Sequence, residues 1–263
     1  LPRYKTLGIR FAKRYVLCGR GRFATRRKRP GARWIPVQSN KPGDDMDGQT
    51  VAACIDAAHA ALKEHAAEIE ALDQQIGDGD HIFNLLRGME ALVALREQID
   101  ARGFGPALEL AAMKVLSTVG GSSGPLFFSL LQGMAKASAA LPDVVVPGAT
   151  NVKVDAAARI FEGGVDAVAQ RGKTGVGSKT MMDVLIPVSA RLTELAAQGA
   201  STAAVLDTLP RVAEENMRAT RDMLATKGRA SFLGERSRGH IDPGARSSQL
   251  MIEAVCAHFV RAA

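Results

Sequence analysis

Residues 51–75 read VAACIDAAHAALKEHAAEIEALDQQ, and this stretch decides the fold. Val51, Cys54, Ile55, Ala58, Leu62, His65, Ile69 and Leu72 recur at spacings of three and four. On a helix of period 3.6 they form one apolar stripe, so the spacing predicts an amphipathic helix. His59 and His65 lie in it without a partner motif and read as surface or flank positions. The same periodicity runs on down the chain. It predicts further helices over 84–102, 106–119, 125–140, 152–170, 179–198, 201–226 and 243–262, joined mostly by short connections. The longest alternating run is VVVP at Val144–Pro147, too short to found a sheet. The sequence shows no internal repeat, and its aromatic content of 5% agrees with helix rather than sheet. The expectation is one all-α domain, a bundle or barrel of about eight antiparallel helices.

Composition sets the outer bounds. At 263 residues, 46% hydrophobic and 23% charged, the chain can bury a sizeable core and is not disordered throughout. The net charge of +7 is unevenly placed. Residues 1–41 hold 13 Lys and Arg and no Asp or Glu, which leaves 21 basic against 27 acidic residues elsewhere. The body of the chain is therefore acidic, which argues against a nucleic-acid-binding domain. An Arg-rich, acid-free start is compatible with a transit peptide or a nucleic-acid-binding arm. The preferred reading is an appended or mis-assigned leader, poorly ordered, over 1–45, with the working domain over 46–263. Cys18, Cys54 and Cys256 have no CxxC spacing, so neither a disulfide framework nor a zinc site is indicated, and a reducing, cytoplasmic compartment fits. No apolar run reaches membrane-spanning length.

Glycines and polar residues collect in four inter-helix loops: DQQIGDGDH, GGSSGP, QRGKTGVGSKT and KGRASFLGERSRGHIDPG. In the first, Asp73, Asp78 and Asp80 supply hard oxygen ligands of the kind Mg²⁺ takes together with phosphate oxygens. Gly77 and Gly79 would let the carboxylates face one another. The alternative is a solvated acidic turn in which Asp80 caps the next helix. Gly120–Gly121 and Pro125, taken alone, read first as ordinary helix punctuation; the functional alternative, with Ser122 and Ser123, is a phosphate cradle of backbone amides and hydroxyls. It is not a Walker A loop. Lys173 and Lys179 flank two glycines ahead of an apolar helix start. In the fourth loop Arg229, Arg236 and Arg238 suit phosphate, and Asp242–Pro243 reads as the cap and first turn of the last helix. A structureless loop of this length is itself unusual and points to function or disorder.

Taken in order, these four motifs resemble those of the dihydroxyacetone kinase L-subunit family, the nucleotide-binding half of that enzyme, over residues 47–263. The resemblance implies a barrel of eight antiparallel helices with a nucleotide, ADP or ATP, and two Mg²⁺ ions at one end. It implies metal ligation by Asp73, Asp78 and Asp80. Nucleotide contacts are implied at His81, Ile82, Phe83 and Asn84, at Ser122 and Ser123, at Gly172 and Met181, and at Arg229, Asp242, Pro243 and Gly244. No catalytic residue distinct from these is implied. The implied activity is phosphoryl transfer to dihydroxyacetone held on a separate kinase subunit. The donor is either a phosphotransferase-system phosphocarrier protein recharging bound ADP, or exchanging ATP. A homodimer is a further partner to test; neither nucleic acid nor membrane is implied. Two positions depart from the family pattern. Ile82 stands where glycine is usual, which removes backbone freedom near the phosphates, and Ser178 replaces an aspartate. They imply a divergent member, acting on another small ketose such as erythrulose or tuned differently for nucleotide. The rival from another class is a non-catalytic nucleotide-binding regulatory partner.

Overall fold

The computed structural model describes residues 47–141 and 152–262. The expected leader, residues 1–45, and the VVVP stretch lie outside the described residues. Among the described residues there are ten α-helices and two 3₁₀ segments: α1 (Gly48–Glu64), α2 (Ala66–Ile76), α3 (His81–Val93), α4 (Arg96–Asp100), α5 (Phe104–Thr118), α6 (Ser123–Ala139), α7 (Val152–Gly172), α8 (Met182–Ala197), α9 (Thr202–Ala219), η1 (Thr220–Asp222), η2 (Arg229–Ser237) and α10 (Pro243–Ala262). Among the described residues there is no strand, only an isolated bridge between Asp47 and Gly103. The fold is all-α, as the periodicity requires.

The boundaries differ from the expected ones for identifiable reasons. Asp47 starts α1 by accepting the Thr50 amide at 2.9 Å, an ordinary N-cap. The helix expected to run on past residue 65 bends there. His65 leaves helical backbone, and its imidazole lies 3.1 Å from Glu68 in the first turn of α2. The single helix expected over 84–102 is two, parted at Ala94 and Leu95, and it begins three residues earlier, at His81. The loop expected to be structureless is in part the 3₁₀ segment η2, which Gly234 kinks with a φ of +56°.

Packing follows chain order. Helices α1, α3, α5, α6, α7, α8, α9 and α10 each pack on the next, and α10 returns to α1. Helices α6 and α7 approach closely, and a Cβ on Gly133 would collide with the Gly163 carbonyl. Leu62, Ile69, Ile82, Leu85, Val115, Phe127, Val168, Met182, Leu185 and Leu250 form the largest buried cluster. A second joins Val184, Val188, Leu192, Val205, Leu209 and Met217. No helix is long and apolar enough to cross a membrane, among the described residues.

Candidate functional site

The first cluster rises directly beneath the acidic loop. Ile69 is fully buried and fixes the last turns of α2, which present Asp73. Asp73 is itself buried, and its Oδ2 accepts the His81 amide at 3.0 Å, the first donor of α3. A side chain on Gly77 would collide with the Asp73 carboxylate, so only glycine leaves that carboxylate its place. Gly79 turns the chain with a φ of +76°. One oxygen each of Asp73, Asp78 and Asp80 then falls within 4.8 Å of the others. Asp80 occupies the N-cap position of α3 but makes no capping bond; Asp73, seven residues earlier, takes that amide instead. The alternative of a turn capped by Asp80 is therefore not how this helix starts. Asp78 forms an ion pair with Arg229, which sets a residue of the fourth loop against the first.

Three carboxylates at this spacing repel one another unless a cation sits among them. An all-oxygen donor set of this kind fits Mg²⁺, and the Asp73 carboxylate takes its place in the set because Gly77 has no side chain to displace it.

His81 ties the loops together. Its Nε2 is 3.0 Å from Ser247 Oγ, in the second turn of α10, and its Nδ1 is 3.3 Å from Ser123 Oγ, in the first turn of α6. Ser247 also donates to the Gly244 carbonyl at 3.1 Å. Burial lowers the His81 pKa, with Asp73 and Asp80 pulling the other way, so the neutral ring is favoured. The starts of α3, α6 and α10 thus meet at one imidazole. Helix N-termini carry unpaired amides and partial positive charge, the usual receptor for phosphate. Ser122, exposed, precedes α6 and makes no cap bond. Asn84 is buried and accepts from Arg87 at 2.6 Å, while Arg87 Nε donates to the Thr118 carbonyl at 2.9 Å, which braces the glycine loop.

Ile82 and Phe83 part company. Ile82 is 1% exposed within the core cluster, and Phe83 is 56% exposed. The Ile82 side chain therefore points into the core, and what residue 82 offers the loop is its backbone amide at the start of α3.

Met181 is buried and opens α8. It lies against Gly244, where an added Cβ would sit 3.5 Å from the Met181 amide. Asp242 is buried and accepts the Ala245 amide at 2.8 Å, the cap expected of it, with Pro243 as the first residue of α10. Gly172 ends α7 against Thr174 and Leu126. A cleft of about 440 Å³ borders the acidic loop, lined by Ile76, Gly77, Asp78, Arg229, Phe232 and Leu233. Ser247 and Arg87 escaped sequence reading. Ser247 stands four residues past Pro243 and so faces the same helix end as the cap; that spacing was the available signal.

The sequence pattern of the DAK2 domain family matches residues 75–257. The chain is 35% identical over 194 residues to the ADP-binding subunit DhaL of PEP-dependent dihydroxyacetone kinase 1 from Listeria innocua, covering 74% of this chain and 88% of that protein. It is 38% identical over 182 residues to the ADP-binding subunit DhaL of the PEP-dependent dihydroxyacetone kinase from Escherichia coli, covering 69% and 83% respectively. Among solved structures, the dihydroxyacetone kinase from C. freundii in complex with AMP-PNP and Mg²⁺ superposes with a TM-score of 0.57 at 19% identity. That match covers 88% of this chain and 38% of the other, a likeness of fold.

Proposed function

The chain belongs to the DAK2 domain family, and on that premise we propose that it is the nucleotide- and Mg²⁺-binding subunit of a dihydroxyacetone-type kinase. Its working domain spans 46–263. It transfers a phosphoryl group from bound nucleotide to dihydroxyacetone, or a related small ketose, held on a separate substrate subunit in the cytoplasm. The observation that carries this reading is the convergence of three carboxylates with the starts of α3, α6 and α10 around His81. Two relatives matched over 88% and 83% of their own length, named as ADP-binding subunits of PEP-dependent kinases, support it and favour a phosphocarrier as the phosphoryl source.

Asp73, Asp78 and Asp80 would hold the metal, two ions on this reading. Bound there, Mg²⁺ neutralises phosphate charge and orients the transferring group. The protein's own residues do the rest. Asp73 is fixed from both sides by the His81 amide and by the space at Gly77, so its carboxylate is in place before any ligand arrives. The amides that open α3 and α6, with the Ser122 and Ser123 hydroxyls, receive phosphate oxygens. His81, kept neutral by burial, holds these helix starts in register. Arg229 is placed to exchange its contact with Asp78 for a phosphate. Met181, Gly172 and the Asp242–Pro243–Gly244 turn complete the nucleotide side.

The test is native mass spectrometry of the purified chain, then turnover with candidate substrate subunits. Retained ADP with turnover only through a phosphocarrier establishes the phosphotransferase form, and rapid exchange with direct use of ATP replaces it by the ATP-dependent one. Retained nucleotide without turnover on any ketose points to a non-catalytic binding partner. No binding of nucleotide with Mg²⁺ refutes the enzyme reading.

A further inference from the structure

Lys179 carries a buried ammonium that none of the roles above uses. It is 1% exposed, and its φ of +61° lies in the left-handed region that a residue with a side chain rarely adopts. Its Nζ donates to the Thr220 carbonyl and the His240 carbonyl, each at 2.5 Å, with the Arg221 carbonyl at 3.5 Å. Those acceptors belong to two other segments: η1, after α9, and the strand of chain that leads into α10. Asp242, Asp222 and Asp183 supply opposite charge nearby, and Arg238 like charge.

The same segments are joined again around this point. Asp183 folds back on its own loop, accepting the Gly177 amide at 2.5 Å and the Thr180 amide at 2.7 Å. The Ser178 carbonyl accepts the Thr226 amide at 3.2 Å, and the Thr220 hydroxyl accepts the Asp242 amide at 3.1 Å. Two residues after Lys179 comes Met181, and two residues after His240 comes Asp242. Met181 and Gly244 are the pair found in contact above.

Burying an ammonium and holding a left-handed backbone both cost free energy, and an apolar side chain would avoid the first cost. What a point charge provides in return is geometric. Carbonyls from separate segments converge on it, and neither segment can shift without leaving a buried donor unpaired.

We propose that Lys179 is a positioning residue for nucleotide binding: its ammonium clamps the loop before α8 to the turn before α10 and so sets the spacing of Met181 and Gly244. This rests on the nucleotide reading given above. The experiment compares the full chain with Lys179→Met and Lys179→Gln; the second keeps donors for the carbonyls in case the first fails to fold. Calorimetric titration should show MgADP binding weakened on the order of ten- to a hundredfold, the scale of an ångström-sized displacement at a site. Mn²⁺ titrated alone should bind the acidic loop as before, and circular dichroism should remain helical. Amide exchange should quicken together over 174–182 and 238–244. A folded variant with MgADP affinity like the parent's overturns the proposal. So does equal loss of MgADP and Mn²⁺, or failure of both variants to fold, since either makes Lys179 a general support of the fold. Should the parent chain bind no MgADP, the nucleotide reading itself fails. The clamp then stands or falls on whether the two exchange regions still quicken together.

Discussion

Replacing Asp242 by asparagine should remove a pH dependence from the folding equilibrium. Asp242 is only 9% exposed, and burial pushes its carboxyl up from 3.8 to about 7. The Ala245 amide and the Lys179 ammonium pull it down, but by less. In the unfolded chain the group titrates near its ordinary value, so between these two limits the native state binds the proton more tightly. The associated stability is fully present below the unfolded pKa and is lost as pH rises through the folded one. A gap of about three pH units, at about 1.36 kcal/mol each, comes to about 4 kcal/mol. Asparagine keeps the side-chain shape, is an equally good cap and cannot ionise. Urea unfolding of parent and Asp242→Asn at roughly pH 4 and pH 8 isolates the effect, because other titrating groups largely cancel in the difference. The parent should lose about 4 kcal/mol relative to the variant across that interval. A difference between the two proteins that stays constant within about 1 kcal/mol would mean that Asp242 is ionised in the native state throughout, and the burial argument would be wrong.

Three further outcomes test the site. Asp78→Ala or Asp80→Ala should abolish phosphoryl transfer while circular dichroism remains helical; an unchanged rate refutes the metal assignment. Gly77→Ala should weaken Mn²⁺ binding on the order of tenfold, because the new methyl group displaces the Asp73 carboxylate; unaltered binding would show that Asp73 is not a ligand. Ser247→Ala removes the Nε2 partner of His81, at a cost of about 1 kcal/mol, and should shift the ¹⁵N resonances of the ring and reduce MgADP affinity. Identical imidazole spectra would show that the ring is held without it.

The helices were legible because burial on a 3.6-residue repeat leaves a pattern that any reader of the chain can count. Their breaks were not. His65 and the Ala94–Leu95 junction carry neither glycine nor proline, and what bends the chain there is the packing of α1 against α3, α4 and α10, which has no local signature. Likewise the three aspartates could be seen as a group, but not that Asp73 rather than Asp80 would take the first amide of α3, since that depends on the turn at Gly77 and Gly79. Lys179 was visible as a loop lysine. Its burial arises from carbonyls some forty and sixty residues downstream, at Thr220 and His240, which no window along the sequence relates.

Ile82 marks the boundary between these two kinds of information. Read by its neighbours in the motif, it stands at the phosphates. Read by period, it belongs with Leu85 and Leu92, and these are the residues buried with it on α3. The side chain follows the second reading, because one face of a helix cannot both close a core and meet a ligand on the opposite side, while the first concerns a backbone amide that side-chain burial leaves in place. The isoleucine side chain therefore bears on the site through the packing beneath His81. Phe83, one residue on and turned outward beside the acidic loop, is the side chain through which the departure at this turn reaches whatever approaches the site.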